Sequence, residues 1–127
     1  MNYIDPYYPN FVSVKSPNGL FNAEIKNLNE FKMSGPCYGL LSISNGITHE
    51  GIGPSIKWSE DSNFLACPEL NSTVPEFRII IFNLSKSKKA YAPGRFGPVT
   101  IKEFGKNTLS INNGDQSLTV DISKIIW

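Results

Sequence analysis

Short segments of alternating apolar and polar residues, each ended by a turn signal, are the feature that most limits how this chain can fold. Phe11–Val14 and Phe21–Ile25 alternate with the two-residue period of a half-buried strand. Similar strand signals lie at 39–43, 64–67, 77–82, 99–101, 108–111 and 118–122. The only helical signal is a short turn expected over Asn27–Met33. The sequence therefore predicts an all-β chain, with Phe77–Phe82 as a central strand.

The chain also repeats part of itself. Ser16-Pro17-Asn18-Gly19-Leu20-Phe21-Asn22-Ala23 aligns with Ser59-Glu60-Asp61-Ser62-Asn63-Phe64-Leu65-Ala66, so that a serine, a phenylalanine and an alanine coincide. A looser third copy is Phe104–Ile111. Repeats of about 40–45 residues that contain several short strands are typical of β-propeller blades.

Two segments resemble parts of a WD-type propeller blade. Ile56–Ala66 is similar to the first hairpin, in which an apolar-x-Trp-Ser-x-Asp turn precedes a buried strand. Arg78–Ser87 is similar to the next strand and its outgoing turn, with Asn83 where many blades have Asp. The resemblance implies about three blades, fewer than the roughly 4–8 of a closed propeller. We therefore expect antiparallel sheets in an open, half-propeller-like array, with free sheet edges and one uncovered apolar blade face. A β-sandwich is the alternative.

Length and composition fit a single β domain over residues 1–127. The 127 residues are 40% hydrophobic, 12% aromatic and 18% charged, which argues against disorder. No apolar run is longer than that of Ile79–Phe82, which is far shorter than the roughly 18 residues of a membrane span, so we expect no membrane insertion. The N-terminal residues do not have the pattern of a secretion signal. With two cysteines, Cys37 and Cys67, the chain is expected to be cytoplasmic with free thiols.

Charge is uneven along the sequence although the formal net charge is only +1. Residues 1–76 hold eight acidic and four basic side chains, whereas residues 77–127 hold three acidic and eight basic ones. Such a separation produces a dipole that can orient a charged partner. The alternative is that the two halves intermix in space and their fields cancel. The small net charge gives no reason to expect direct nucleic-acid binding.

The sequence offers few groups for catalysis. His49 lies between Gly46 and Gly51, where an exposed loop histidine is expected, and a metal site would need further ligands. Cys37 and Cys67 are expected to be buried on strands. The sequence therefore predicts that the protein is not an enzyme and has no catalytic residue, metal ligand or cofactor.

The size, composition and partial propeller are similar in type to small immunity proteins of bacterial toxin–immunity pairs, including those of contact-dependent growth inhibition. This resemblance implies a cytoplasmic inhibitor that caps the active cleft of a cognate toxin domain, often a nuclease. The expected partner-binding residues are acidic or aromatic: Glu50, Glu60, Asp61, Glu69, Glu76, Tyr38 and Phe77. One alternative is a propeller-like interaction or scaffold module that forms a homodimer through an open sheet edge. A small enzyme centred on His49 is the other.

Overall fold

The computed structural model describes residues 12–30, 37–71, 76–96, 99–113 and 116–125. These ranges contain no α-helix, and their one helical element is a short 3₁₀ helix at Ile122–Lys124. The strands are β1 (Val12–Lys15), β2 (Asn22–Glu30), β3 (Cys37–Ile43), β4 (Thr48–Ile52), β5 (Lys57–Trp58), β6 (Phe64–Asn71), β7 (Glu76–Asn83), β8 (Lys88–Tyr91), β9 (Val99–Phe104), β10 (Thr108–Asn113) and β11 (Gln116–Asp121).

The strands form three groups in which chain neighbours pair antiparallel. We call β1–β4 the first layer, β5–β8 the middle layer and β9–β11 the third layer. The first and middle layers are joined along the sheet through one residue pair, Ile52 of β4 with Glu69 of β6. The sheets do not close into a barrel. The prediction of an all-β fold with antiparallel sheets is therefore confirmed.

Two hydrophobic cores separate these layers. In the first core, Ile25 of the first layer packs with Leu65 and Ile80 on one face of the middle layer. In the second core, Ile81 on the opposite face of the middle layer packs with Leu109 of the third layer. All five side chains are buried. The described residues therefore cover the middle layer on both faces and the first and third layers on one face each.

Strand β7 shows why the sequence places it at the centre. Its side chains alternate between the two cores, so that Ile80 and Phe82 enter the first core while Ile79 and Ile81 enter the second. A strand that is buried on both faces has a nearly continuous apolar sequence instead of an alternating one. The prediction of a central strand over Phe77–Phe82 is confirmed.

The sequence repeat corresponds to two turns with the same hydrogen bonds. In the first turn the backbone N–H of Ser16 donates to the carbonyl oxygen of Phe21 (2.8 Å), the Ser16 hydroxyl donates to Asn18 Oδ1 (2.7 Å), and the Phe21 N–H donates to Ser16 Oγ (3.1 Å). In the second turn the same bonds join Ser59 to Phe64 (2.9 Å), Ser59 to Asp61 (2.7 Å) and Phe64 to Ser59 Oγ (3.1 Å).

The third copy is looser, as expected, but it shares other bonds with the middle layer. Its turn lacks the serine network and closes with a bond from the Gly105 N–H to the Thr108 carbonyl (2.9 Å). A backbone bond from Ile122 to Asn107 (2.9 Å) matches the bond from Leu84 to Asn63 in the middle layer (2.8 Å). The local similarity therefore extends to all three layers.

The outer face of the third layer is largely polar where the structure describes it. In the third layer the outward side chains include Ser110 and Asn112 of β10 and Thr119 of β11, whereas the apolar residues between them face the second core. The large hydrophobic side chains exposed in the described ranges are Leu20, Tyr91 and Leu118, and none of them lies on an outer sheet face. The expectation of an uncovered apolar blade face stays a prediction, and β1, β8, β9 and β11 are edge strands among the described residues.

Two local predictions also need correction. The segment Asn27–Glu30, expected to begin a helical turn, continues strand β2, because pairing with β3 overrides its weak helical signal. The remainder of that predicted turn, and Phe11 of the first predicted strand, lie outside the described residues. Strands β4 and β8 were not expected. Both have largely polar sequences that do not show the strand period.

Candidate functional site

The three related turns lie at the same end of their layers, which we call the turn end: Ser16–Phe21, Ser59–Phe64 and Phe104–Thr108. The first two are joined directly, because the Asn18 backbone N–H donates to Ser62 Oγ at 2.9 Å. The second and third are neighbours, since Glu60 Oε2 lies 3.7 Å from the position that a Cβ on Gly105 would occupy. The turn end is therefore a continuous surface formed by all three layers.

An exposed leucine and two acidic residues lie on neighbouring turns of this surface. Leu20 is 74% exposed, the largest exposure among the described large hydrophobic residues. It belongs to the turn that is bonded to the Ser59–Phe64 turn, which carries the exposed residues Glu60 and Asp61. An exposed apolar group on a rigid support, bordered by charged groups, has the character of a protein-binding surface.

The carboxylate of Asp61 is held in place by its own turn. It accepts hydrogen bonds from the Ser59 hydroxyl (2.7 Å) and from the Asn63 backbone N–H (3.1 Å). Slight burial opposes ionisation, but these hydrogen bonds outweigh it and lower the pKa of Asp61. Asp61 therefore presents a fixed negative charge at neutral pH and also stabilises the turn.

The turn end also carries positive charge. The Leu84 backbone N–H donates to the Asn63 carbonyl (2.8 Å), which brings the turn between β7 and β8 beside the Asp61 turn. The exposed side chains of Lys86, Lys88 and Lys89 follow in that segment. At this end the acidic and basic halves of the sequence therefore intermix, as the alternative interpretation of the charge pattern expected.

A second polar cluster lies on the inner face between the first and middle layers. Nε2 of His49 lies 2.5 Å from Oε2 of Glu69, and the His49 and Glu69 side chains are only 17% and 15% exposed. His49 belongs to strand β4, and its ring contacts the edge of the Phe82 ring, with the ring centres 5.7 Å apart. The expectation that His49 lies in an exposed loop is therefore wrong, because pairing between β3 and β4 directs the ring toward the middle layer.

Three neighbouring side chains make hydrogen bonds with the carboxylate of Glu69. Besides His49, it accepts hydrogen bonds from the Tyr91 hydroxyl (3.0 and 3.1 Å) and from Nη2 of Arg78 (3.3 Å). Burial would raise the pKa of Glu69, but the hydrogen bonds from His49 and Tyr91 outweigh it and lower that pKa. Burial, together with the bond to Glu69, raises the pKa of Tyr91.

Arg78 completes this cluster through two contacts of different kinds. Its guanidinium lies over the Tyr91 ring, 3.8 Å from the ring centre, while it donates to Glu69. Its buried Nε atom has no hydrogen-bond partner among the described residues. The cluster therefore links β4, β6, β7 and β8, and its side-chain contacts join the first layer to the middle layer.

The described residues place no activated nucleophile in this cluster. Cys67 lies two positions before Glu69 on β6 and is a free, buried thiol, as expected. Burial raises its pKa well above the ordinary value, so that the thiol is protonated at neutral pH. Cys37 begins strand β3, as expected, and its side chain lies outside the described residues.

The remaining predicted partner-binding residues are dispersed. Glu69 and Glu76 lie at one end of the β6–β7 pair, and Glu60 and Asp61 precede its opposite end. Glu50 is exposed on β4.

The two predicted aromatic anchors have different surroundings from these acids. Phe77 is buried in the second core, where its backbone pairs with Phe96, and Tyr38 packs partly buried against the same core. Of the predicted partner-binding residues, Glu60 therefore lies next to Asp61 in one turn, and Glu69 and Glu76 lie together at the other end of the β6–β7 pair.

Leu20, Arg78 and Tyr91 were not singled out from the sequence. Leu20 occupies the position of Asn63 in the repeat alignment, and a leucine where the other copy has an exposed asparagine is a signal that the sequence did contain. No comparable signal existed for Arg78 or Tyr91.

Within the described ranges, no three His, Cys, Asp or Glu side chains are grouped so that they could hold a metal ion. None of the described helical segments has the length and hydropathy needed to cross a membrane. No protein-family model, curated protein or solved structure matches this chain.

Proposed function

We propose that this chain is a cytoplasmic immunity protein that binds a cognate bacterial toxin domain, of the nuclease class, and blocks its active site. The observation that carries the proposal is the turn end, where exposed Leu20 lies on a turn that is hydrogen-bonded to the turn carrying exposed Glu60 and Asp61. The proposal is of a binding protein, not an enzyme. The engagement of His49 by Glu69 and the protonated, buried thiol of Cys67 support that choice.

In this mechanism the turn end fills the active site of the toxin, and its contact groups are already held in place before binding. Leu20 enters an apolar recess of the toxin and excludes water, while Glu60 and Asp61 approach cationic side chains that would otherwise bind phosphate. Because Ser59 and Asn63 already hold the Asp61 carboxylate, little side-chain freedom is lost on binding. The neighbouring lysines, such as Lys86, would meet acidic groups of the toxin, so complementarity involves both signs of charge.

The fold supports a propeller-like origin for this surface. We infer that the three layers are three successive blades of an open half-propeller, because the described residues give two layers four strands each and the third layer three, and their turns share hydrogen bonds. Turns at one end of consecutive blades form a shared surface, and this is where the proposed contact residues lie.

Co-expression with a candidate toxin tests this proposal. The toxin domain encoded by the neighbouring gene in the native host is expressed in bacteria with and without the chain, and growth and direct binding are measured. We expect the wild-type chain to restore growth, and we expect Leu20→Lys to weaken binding by at least about tenfold. Glu60→Lys is expected to slow association chiefly at low salt.

The matched control is Leu118→Lys, which introduces the same charge at a partly exposed leucine of β11 and is expected to protect as well as the wild type. The immunity proposal fails if no adjacent toxin gene exists and the chain protects against no co-expressed toxin. If protection persists in Leu20→Lys and Glu60→Lys, the toxin is bound elsewhere and the turn end is the wrong surface.

A second candidate function is a propeller-like scaffold module that self-associates through an open sheet edge. The observation that favours it is the position of β11, which pairs with β10 on one side and ends the third layer within the described residues.

A further inference from the structure

Strand β11 has fewer devices that discourage pairing than the other described edge strands, its one charged side chain being Asp121 at its end. Edge strands are commonly protected by lysines, prolines, bulges or short length. At the other edges, β1 and β8 are four residues long and each contains lysine. Strand β9 has a register shift against β10 and carries Lys102 and Glu103. In contrast, β11 has six residues, Gln116–Asp121, with no lysine or proline, and its register with β10 is continuous.

The side chains of β11 are exposed although the strand lies beside the second core. Leu118 is 38% exposed and Val120 is half-buried against that core. A groove of about 680 Å³ opens beside them, lined also by Tyr91, Phe96 and Ile125. The first and middle layers have a fourth strand at the corresponding position, namely β4 and β8. Among the residues that the structure describes, the third layer therefore has no fourth strand, and apolar surface lies where that strand would be.

The register of the β10–β11 hairpin identifies the backbone groups that face outward. Asn113 pairs with Gln116 across two intervening residues, and such a closing pair exchanges both of its backbone hydrogen bonds. Alternation along the strand then directs the backbone groups of Gln116, Leu118 and Val120 toward β10. The N–H and C=O groups of Ser117 and Thr119 point away from β10, toward the open side.

We propose that β11 pairs antiparallel with β11 of a second copy of this chain, about a two-fold axis at Thr119. This inference deepens the scaffold candidate and does not depend on toxin binding. In this register Thr119 lies opposite Thr119 of the other copy, and Ser117 lies opposite Asp121. Leu118 lies opposite Val120, so that each copy supplies the fourth strand of the other's third layer and extends its second core.

The strand sequence is suited to this pairing. Threonines that face each other across strands form favourable pairs, as do aliphatic side chains such as Leu118 and Val120. Asp121 faces a serine, so no like charges oppose each other. An isologous contact of this kind is closed, which gives a dimer and not a fibre. The pairing of single six-residue strands buries little surface, so the dimer is expected to be weak and concentration-dependent.

The test uses the complete chain, with molar mass measured by sedimentation equilibrium over about a hundredfold range of concentration. We expect a rise from the monomer mass toward twice that mass. Leu118→Lys should keep the chain monomeric because a buried lysine would lie in the paired edge, whereas Leu20→Lys should dimerise like the wild type. Thr119→Pro removes an N–H that faces away from β10, so it should also prevent dimerisation while circular dichroism confirms the fold.

Hydrogen exchange tests the register. As concentration rises, the amide protons of Ser117 and Thr119 should become protected, while those of Leu118 and Val120 are already protected by β10. A monomer mass at every concentration would overturn the proposal, as would a dimer that both Leu118→Lys and Thr119→Pro leave intact. A dimer in which protection appears at β1 or β8 would assign the interface to another edge and would also overturn it.

The experiment separates the two proposals. Loss of dimerisation in Leu118→Lys without loss of toxin protection places the two surfaces apart. Loss of protection in Leu20→Lys with a normal dimer supports toxin binding at the turn end. A chain that forms the β11 dimer but binds no toxin would retain the present inference and reject the immunity function.

Discussion

The His49 ring and the Glu69 carboxylate lie 2.5 Å apart across the boundary between the first and middle layers. They are the centre of a cluster that also holds Arg78 and Tyr91, in which every charged or polar contact of Glu69 crosses from one strand to another. A charge at this depth is stable only when it is fully paired. The cluster therefore joins the two layers with high specificity, and it accounts for the following predictions on stability.

Replacing the central carboxylate should destabilise the fold. Glu69→Gln keeps the size of the side chain but removes the negative charge that pairs with His49 and Arg78. Because this leaves the Arg78 guanidinium without its carboxylate in a partly buried site, we expect a loss of about 2–4 kcal/mol in the free energy of unfolding. Urea denaturation followed by tryptophan fluorescence measures it. Glu50→Gln, on the exposed side of β4, should change stability by less than about 0.5 kcal/mol.

Acid should weaken the fold partly through the same group. The pKa of Glu69 is lowered from its ordinary value of 4.5 in the folded chain, so its contribution is present above that value and is lost as pH falls through the folded pKa. The contribution of the Glu69 carboxylate to the stability difference between the wild type and Glu69→Gln should therefore shrink as pH falls below about 4.5. A difference that stays constant down to pH 3 or so would show that Glu69 is not held as a carboxylate.

At alkaline pH, the contribution of Tyr91 to the stability of the fold should change with pH in the opposite direction to that of Glu69. The pKa of Tyr91 is raised from 10.0, so its contribution is complete below that value and is lost as pH rises through the folded pKa. Tyr91→Phe keeps the ring under Arg78 but removes the hydroxyl, and we expect it to cost about 1 kcal/mol near neutral pH. The difference from the wild type should diminish above about pH 10, as measured by urea unfolding across the alkaline range. An unchanged difference would contradict the bond to Glu69.

The two repeated turns should respond alike to loss of their serines. Ser16 and Ser59 are buried, and each hydroxyl accepts the backbone N–H of the phenylalanine five residues later. Ser16→Ala or Ser59→Ala leaves that N–H without its partner, so we expect each to cost about 1–3 kcal/mol, measured by thermal and urea unfolding. Ser85→Ala, at an exposed serine whose hydroxyl donates to Asn83 Oδ1 (3.0 Å) and accepts no backbone N–H bond that the structure gives for the described residues, serves as the control. A large cost for one turn and none for the other would show that the equivalence is only geometric.

Removing an unfavourable backbone conformation should stabilise the chain. Ser87, in the turn between β7 and β8, has a φ of 53°, in the left-handed region. Because glycine adopts this region without steric cost, Ser87→Gly should raise the midpoint of thermal unfolding and add up to about 1 kcal/mol of stability. In contrast, Gly46→Ser places a side chain at a φ of 103° and should lower the midpoint. Destabilisation by Ser87→Gly would show that the serine side chain compensates for the strain.

The local sequence was sufficient to predict the all-β class, the central strand β7 and the equivalence of the Ser16 and Ser59 turns. These features depend on neighbouring residues: strand alternation, turn residues, and a serine that bonds to a backbone five positions away. The sequence also indicated that Glu60 and Asp61 lie in an exposed turn. Such predictions succeed because the groups that determine the structure are close together in the chain.

Only the tertiary structure determined which residues meet between strands and layers. Strands β4 and β8 are polar at most positions, so their pairing with apolar neighbours, and not their own period, makes them strands. His49 meets Glu69 because the register of several strands aligns residues that are distant in sequence, and no local pattern encodes that alignment. Likewise, the turn of Leu20 meets the turn of Asp61 through a bond between residues distant in sequence, and β11 is an edge strand among the described residues because only β10 pairs with it there.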